Sequence, residues 1–180
     1  MVKRDLVKQG ILIVLLLLGL IGLRLYVFEP VTITSQMANQ YLKENDFIIV
    51  AKQADIDYGD FVLYQVDEKS YVGRVIAMSN DRVTYMDDVL YRNDSIVEEK
   101  YLESAPHQEY YTQDLTISTI TNGETDQVPT DSYFILNDNR MNLEDSRSFG
   151  LIASQQIIGR LTFRLSPLNE FGFIQTDLTQ

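Results

Sequence analysis

The chain has 180 residues, enough for one domain and an appendage. It has no cysteine and one histidine, His107, which argues against a disulfide framework, thiolate chemistry, a cysteine-ligated or multi-histidine metal site and a Ser-His triad. A formal charge of −11 argues against nucleic-acid binding, which needs a basic surface.

That charge is unevenly spread. Residues 1–28 carry Lys3, Arg4, Lys8 and Arg24 against Asp5, a balance of +3, which leaves −14 for the remainder of the −11. A basic head on an acidic body fits a membrane anchor with an exported domain. From Gly10 to Leu23 the chain is unbroken apolar sequence, interrupted by Arg24 and resumed by Leu25, Tyr26, Val27 and Phe28. Crossing a bilayer takes about 20 residues, and a long cationic side chain near a helix end can reach the interface. Tyr26 and Phe28 suit the interfacial belt. The rival reading, a cleaved secretory signal, calls for small residues after the apolar core, but Glu29-Pro30 follows here. The expected organisation is a cytoplasmic N-terminus at 1–9, a single-pass anchor at 10–28 and an extracellular domain at 29–180. Lys3, Arg4 and Lys8 set that orientation by the positive-inside rule.

Beyond the anchor the pattern is β. Strands are predicted at Val31–Thr34, Phe47–Ala51, Phe61–Val66, Tyr71–Ala77, Arg82–Tyr85, Val89–Arg92, Leu115–Thr121, Tyr133–Leu136 and Ile157–Leu165. Turn formers separate them: Asn45-Asp46, Tyr58-Gly59-Asp60, Ser79-Asn80-Asp81, Asp87-Asp88 and Asn122-Gly123. Met86–Val89 reads as a hairpin, since Asp tolerates the left-handed backbone of a tight turn. Many short strands argue an antiparallel barrel or sandwich. Glu98–Gln113, polar with Tyr101, Tyr110 and Tyr111, reads as an insertion loop or short helix. No repeat and no nucleotide-binding glycine loop is present, and no cofactor is implied.

The most informative stretch is Ser132–Gly150, SYFILNDNRMNLEDSRSFG. A short strand leads into turn formers and two charged clusters. A guanidinium holds a carboxylate by two parallel hydrogen bonds, so Arg140 and Arg147 are expected to tie the loop to Asp138, Asp145 or other acids. As a string it resembles the last signature block of the type I signal peptidases, G-D-N-R-x-x-S-x-D-S-R-x-F-G. Asp138, Asn139, Arg140, Asp145, Ser146, Arg147, Phe149 and Gly150 keep the pattern. Asn137 and Leu143 depart from it, where the family has Gly and Ser.

The resemblance extends from the anchor to about Leu168. Glu29-Pro30-Val31 looks like the approach to the family's nucleophile, and Leu42–Val50 like the L-K-E-G-D-x-V-L-V after it. Gly59-Asp60-Phe61-Val62 and Asp81-Arg82-Val83 resemble its G-D-x-V strand starts. Tyr71–Ile76 is similar to Y-V-K-R-V-I, and Ile158-Gly159-Arg160 with Phe163-Arg164 to the closing strand. Members are membrane-anchored β proteins that cut signal peptides from exported precursors with a Ser nucleophile and a Lys base.

A serine hydroxyl attacks only when a base takes its proton, and lysine is that base only when neutral and within reach. Aligned without a gap, the nucleophile position holds Met37, the next Ala38, and the family's Thr position Tyr41. Shifting by one residue puts Gln36 at the nucleophile. The base position holds Gly73. Ser35 lies two positions before Met37, roughly 6.6 Å along a strand and on one face, and Lys69 roughly 13 Å from Gly73 by the same rise. The expectation is therefore no catalytic residue. Ser35, Gln36, Met37, Ala38 and Gly73 are expected to line a peptide-binding groove, with Asp138, Asn139, Arg140, Asp145, Ser146 and Arg147 as a structural loop. Such non-catalytic, pilus-associated homologues occur in Gram-positive bacteria, which implies as partners the membrane and an exported precursor or pilin, with no metal and no nucleic acid. The alternatives are an active signal peptidase with a relocated nucleophile and a tethered β domain with an unrelated structural role.

Overall fold

Residues Val2–Tyr26 form one helix, α1, whose stretch Val7–Tyr26 is long and apolar enough to cross a membrane. The helix stops two residues earlier than the apolar pattern suggests, because Phe28 already belongs to a strand. The structure, a computed structural model, describes residues 2–102 and 112–174, with side chains from Val7 onward.

In chain order the strands are β1 (Phe28–Thr32), β2 (Phe47–Ala51), β3 (Phe61–Val66), β4 (Lys69–Ala77), β5 (Val83–Met86), β6 (Val89–Arg92), β7 (Ser95–Val97), β8 (Leu115–Thr116), β9 (Ser132–Leu136), β10 (Ile152–Ala153), β11 (Ile157–Ser166) and β12 (Gly172–Phe173). They make two antiparallel sheets. The first runs β1-β2-β11-β3-β4-β9-β10, with β12 added to β11, and the second β7-β6-β5-β8. The mainly β, antiparallel expectation therefore holds. Tight turns supply the hairpins: Asp67-Glu68, Asp87-Asp88 and Asn93-Asp94 all adopt positive φ at both central positions.

Two expected strands differ. The predicted Leu115–Thr121 ends at Thr116, and Ile117–Ile120 turns into a short helix, α2. The cause is a reciprocal cap: Thr119 N–H donates to the Thr116 hydroxyl and Thr116 N–H to that of Thr119. The predicted Val31–Thr34 instead starts at Phe28 and ends at Thr32, because the Met37 N–H donates to the Thr34 carbonyl at 3.0 Å and closes a turn. Most of the Glu98–Gln113 stretch, with His107, Tyr110 and Tyr111, lies outside the described residues. Its leading part, Lys100–Leu102, is a 3-10 turn with Tyr101 buried.

Strand alternation divides the core in three. Ile33, Met37, Leu42, Ile48, Val50, Phe61, Leu63, Val72 and Leu161 form one cluster near the anchor. Val62, Tyr64, Val75, Ile135 and Ile152 form another on the opposite face of β3 and β4. A third joins the second sheet to β4 and β9. The two sides of the first sheet meet where β11 threads between β2 and β3, and this requires Gly159. A Cβ there would lie 2.4 Å from the Ala51 carbonyl oxygen and 2.9 Å from the Lys52 Cα. Backbone cannot give way as a side chain can, so Gly159→Ala is expected to cost about 3 kcal/mol, the upper end for overpacking, read as a lowered melting temperature of the detergent-solubilised chain.

Candidate functional site

The residue read at the base position, Gly73, sits in β4 opposite Val62. Side chains along β4 alternate between clusters: Tyr71 and Val75 pack on the Val62 side, Val72 on the Met37 side. Gly73 therefore faces the Val62 side, and that space is taken. A Cβ at Gly73 would lie 2.5 Å from Ile135 Cγ2 and 3.1 Å from the Leu136 carbonyl oxygen. No recess opens at Gly73, because Ile135 fills it.

Met37 packs in the other cluster at 7 % exposure, with Ala38 against its edge. The structure thus sets Met37 and Gly73 toward opposite sides of β4 and does not join them in one groove. Ser35 and Gln36 are exposed. The turn closed on Thr34 breaks the extended run expected from Ser35 to Met37, so these two residues do not share a face. Lys69 starts β4, exposed, opposite Val66 at the hairpin end. A cavity of about 510 Å³ opens elsewhere, against β6 and β7, lined in part by Val89, Leu90, Ile96, Val97 and Glu98.

The charged loop is a scaffold sewn from inside. Asp145 caps the short helix α3 (Ser146–Phe149) by accepting the Arg147 N–H at 2.9 Å. Its other oxygen accepts the Asn137 N–H at 2.9 Å, and the Ser146 hydroxyl accepts the Ile135 N–H at 3.0 Å. The Arg147 guanidinium grips Asp145 and also donates to the Arg140 and Asn142 carbonyls at 2.8 and 2.6 Å. Asn139 is exposed and turns the chain, its N–H donating to Asn137 Oδ1 at 2.9 Å. Asn142 Nδ2 donates to the Gln36 carbonyl at 2.9 Å, which joins the loop to the Met37 segment. Met141 and Leu143, either side of Asn142, are exposed.

Two pairings reach beyond the loop itself. Asp138 is held by Arg74, through Nε at 2.9 Å and Nη2 at 2.5 Å, while Arg74 Nη1 donates to the Gly59 carbonyl at 2.9 Å. The Arg74 guanidinium carbon also lies 4.1 Å from the Phe61 ring centre and 4.0 Å from that of Tyr101. Arg140 pairs with Glu99 at 2.5 Å instead of a loop acid, and the same carboxylate accepts the hydroxyls of Tyr85 and Tyr101. Burial, then the Glu99 charge, pushes both phenols well above their usual range. For Arg140 burial alone would lower the pKa, and Glu99 with the two tyrosines reverses that, keeping it charged. The motif around Gly73 contains Arg74, but nothing local marks Tyr101 as the partner of Arg74, Glu99 as that of Arg140, or Ile135 as the neighbour of Gly73. The Tyr101 carbonyl accepts Gln40 Nε2 and, at 3.2 Å, the Tyr41 hydroxyl, so the Lys100–Leu102 turn is tied to the Met37 segment. Among the described residues no group of three or more His, Cys, Asp or Glu can hold a metal.

The comparisons with known proteins agree with this scaffold. The profile of the family described as signal peptidase, peptidase S26, matches residues 4–166. The signal peptidase I of Bacillus caldolyticus is 35 % identical over 162 residues, covering 84 % of this chain and 86 % of that protein. The signal peptidase IB of Staphylococcus aureus strain MRSA252 is 30 % identical over 181 residues, covering 95 % of each. The crystal structure of a signal peptidase I from Enterococcus faecalis V583 superposes with a TM-score of 0.56 at 33 % identity, over 61 % of this chain and 98 % of that one. The chain belongs to the signal peptidase S26 family, a family of serine peptidases, and keeps its antiparallel fold behind an N-terminal apolar helix.

Two outcomes test this geometry. Gly73→Ala is expected to cost about 1–3 kcal/mol by overpacking against Ile135, and Ile135→Ala about 2–5 kcal/mol by leaving a cavity. The double variant should cost less than the two together, because the added methyl enters the vacated space; strict additivity in denaturation would show that the two do not touch. Arg147→Ala leaves the Asp145 carboxylate, 0 % exposed, without its cation and should cost about 3–5 kcal/mol. An unchanged melting curve would mean that the loop carries no such strain.

Proposed function

We propose that the chain is a non-catalytic member of its family that binds exported precursors at the outer membrane surface instead of cutting them. One observation carries this reading: the nucleophile position is a core methionine, and the base position is a glycine whose Cβ space Ile135 occupies. Neither residue has a group that can take or give a proton. In this reading α1 is a single-pass anchor with its basic N-terminus inside, and the β domain faces outward. The exposed Ser35 and Gln36, joined through Asn142 to the exposed Met141 and Leu143, form the contact rim. Buried Met37 and half-buried Ala38 support that rim from below. An extended client needs only backbone groups and apolar side chains to be held there, without chemistry. The client is an exported precursor, with a pilin as the example that the resemblance suggests.

The test uses the full chain in detergent micelles with a precursor bearing its signal peptide. No cleavage product is expected, while the intact precursor co-purifies. Leu143→Ser with Met141→Ala should weaken that capture by about tenfold without moving the melting temperature, as loss of two apolar contacts does. Turnover that vanishes on Ser35→Ala would overturn the proposal in favour of a relocated nucleophile.

A further inference from the structure

The second sheet ends on an open strand. Among the described residues β7 pairs with β6 alone, so its far side presents main-chain groups to no other strand. The turn Asn93-Asp94, with positive φ at both positions, closes on the Arg92–Ser95 pair. Bonding alternates along an antiparallel pair, so Ser95 and Val97 bond to β6 while the Ile96 N–H and carbonyl point outward. Among the described residues neither group has a partner. Ile96 is 64 % exposed, and Ser95-Ile96-Val97 has neither the charge nor the proline that ordinarily deters strand addition at an edge.

The cavity of about 510 Å³ lies against this edge, with Val89, Leu90, Ile96, Val97 and Leu102 as its apolar lining. Ligand pockets run from roughly 300 to 1,000 Å³, so this one holds large side chains. A strand of three residues offers main-chain bonds at Ile96 only, and the cavity must supply the rest of any affinity.

The border of the cavity is acidic. Asp88 lines it and accepts the Thr112 N–H at 2.8 Å, and the Asp87 N–H donates to Asp114 at 3.0 Å. Glu99 is neutralised by Arg140, and Glu98 by Lys100 at 3.3 Å. Asp87, Asp88 and Asp114 are in no salt bridge among the described residues. A second copy docked here about a two-fold axis would set this acidic border against itself, so the fitting occupant is a basic one.

We propose that the β7 edge and its cavity hold an extended segment of an exported client, adding to the sheet as a strand. An apolar side chain sits among Val89, Ile96, Val97 and Leu102, and a neighbouring lysine or arginine meets Asp87 and Asp88. Leu102 follows Tyr101, whose carbonyl accepts Gln40 Nε2 and the Tyr41 hydroxyl, so the site is braced against the Met37 segment. That the segment comes from an exported client rests on the function proposed above; the edge and the cavity do not.

The probe is a fluorescein-labelled decapeptide of alternating valine and lysine, with no signal peptide, read by fluorescence anisotropy against the full chain in non-ionic detergent micelles. It should bind, and the valine–glutamate counterpart should not. Ile96→Pro removes an outward N–H at an edge, where proline is tolerated, together with a side chain lining the cavity; binding should weaken about tenfold. Asp88→Asn keeps the acceptor for Thr112 and should weaken binding about threefold while flattening its salt dependence. Neither change should move the melting temperature. If Ile96→Pro does not fold, Ile96→Ala replaces it. Probe binding without capture of precursor leaves this site standing and sinks the rim at Ser35 and Gln36; capture without probe binding does the reverse. Equal binding of the glutamate peptide overturns the proposal, as does binding indifferent to both substitutions. So does binding that appears only when residues 103–111 are replaced by a Gly-Ser linker, which assigns the cavity to the chain's own segment.

Discussion

The domain depends on one buried ion pair, Arg74 with Asp138. Both side chains are withdrawn from water, at 1 % and 0 % exposure. A cation placed there without its carboxylate would cost several kcal/mol, so the two must arrive together. Their union fixes three segments at once: the middle of β4, the loop leaving β9, and the Gly59 turn entering β3. Phe61 and Tyr101 close over the guanidinium, and Tyr101 in turn brings Glu99, Arg140 and the second sheet into register with the charged loop.

That arrangement separates the charged network from its neighbour in the same strand. Arg74 and Gly73 are adjacent in β4, yet alternation sends them to opposite faces. The Arg74 face carries the network on which folding depends. The Gly73 face meets the Ile135 side chain and the Leu136 carbonyl, where a small residue and a larger neighbour can exchange volume between them.

The same sheet divides the molecule by environment. Strands beside the anchor are apolar outward and bordered by paired charges, while the acidic turns cluster on hairpins of β3–β4 and of the second sheet.

Much of this was legible in the sequence. The anchor declares itself because a bilayer demands a long unbroken apolar run, and the strands because two-residue alternation and left-handed turn residues are local properties. The charged loop was legible as a string, and Asp145 with Arg147 pairs within it as expected. What stayed hidden is non-local. Asp138 chooses Arg74 and Arg140 chooses Glu99, partners 64 and 41 residues away, because burial selects the pairs that can be fully desolvated together. Thr116–Thr119 turned a predicted strand into a helix through a side-chain cap that competes with the ladder. Gly73 could be read from the sequence as an absent base. Only the packed structure decided that Ile135 closes the space, and that Met37 faces the other way, because the side on which a strand residue lies is set by its neighbours in the sheet.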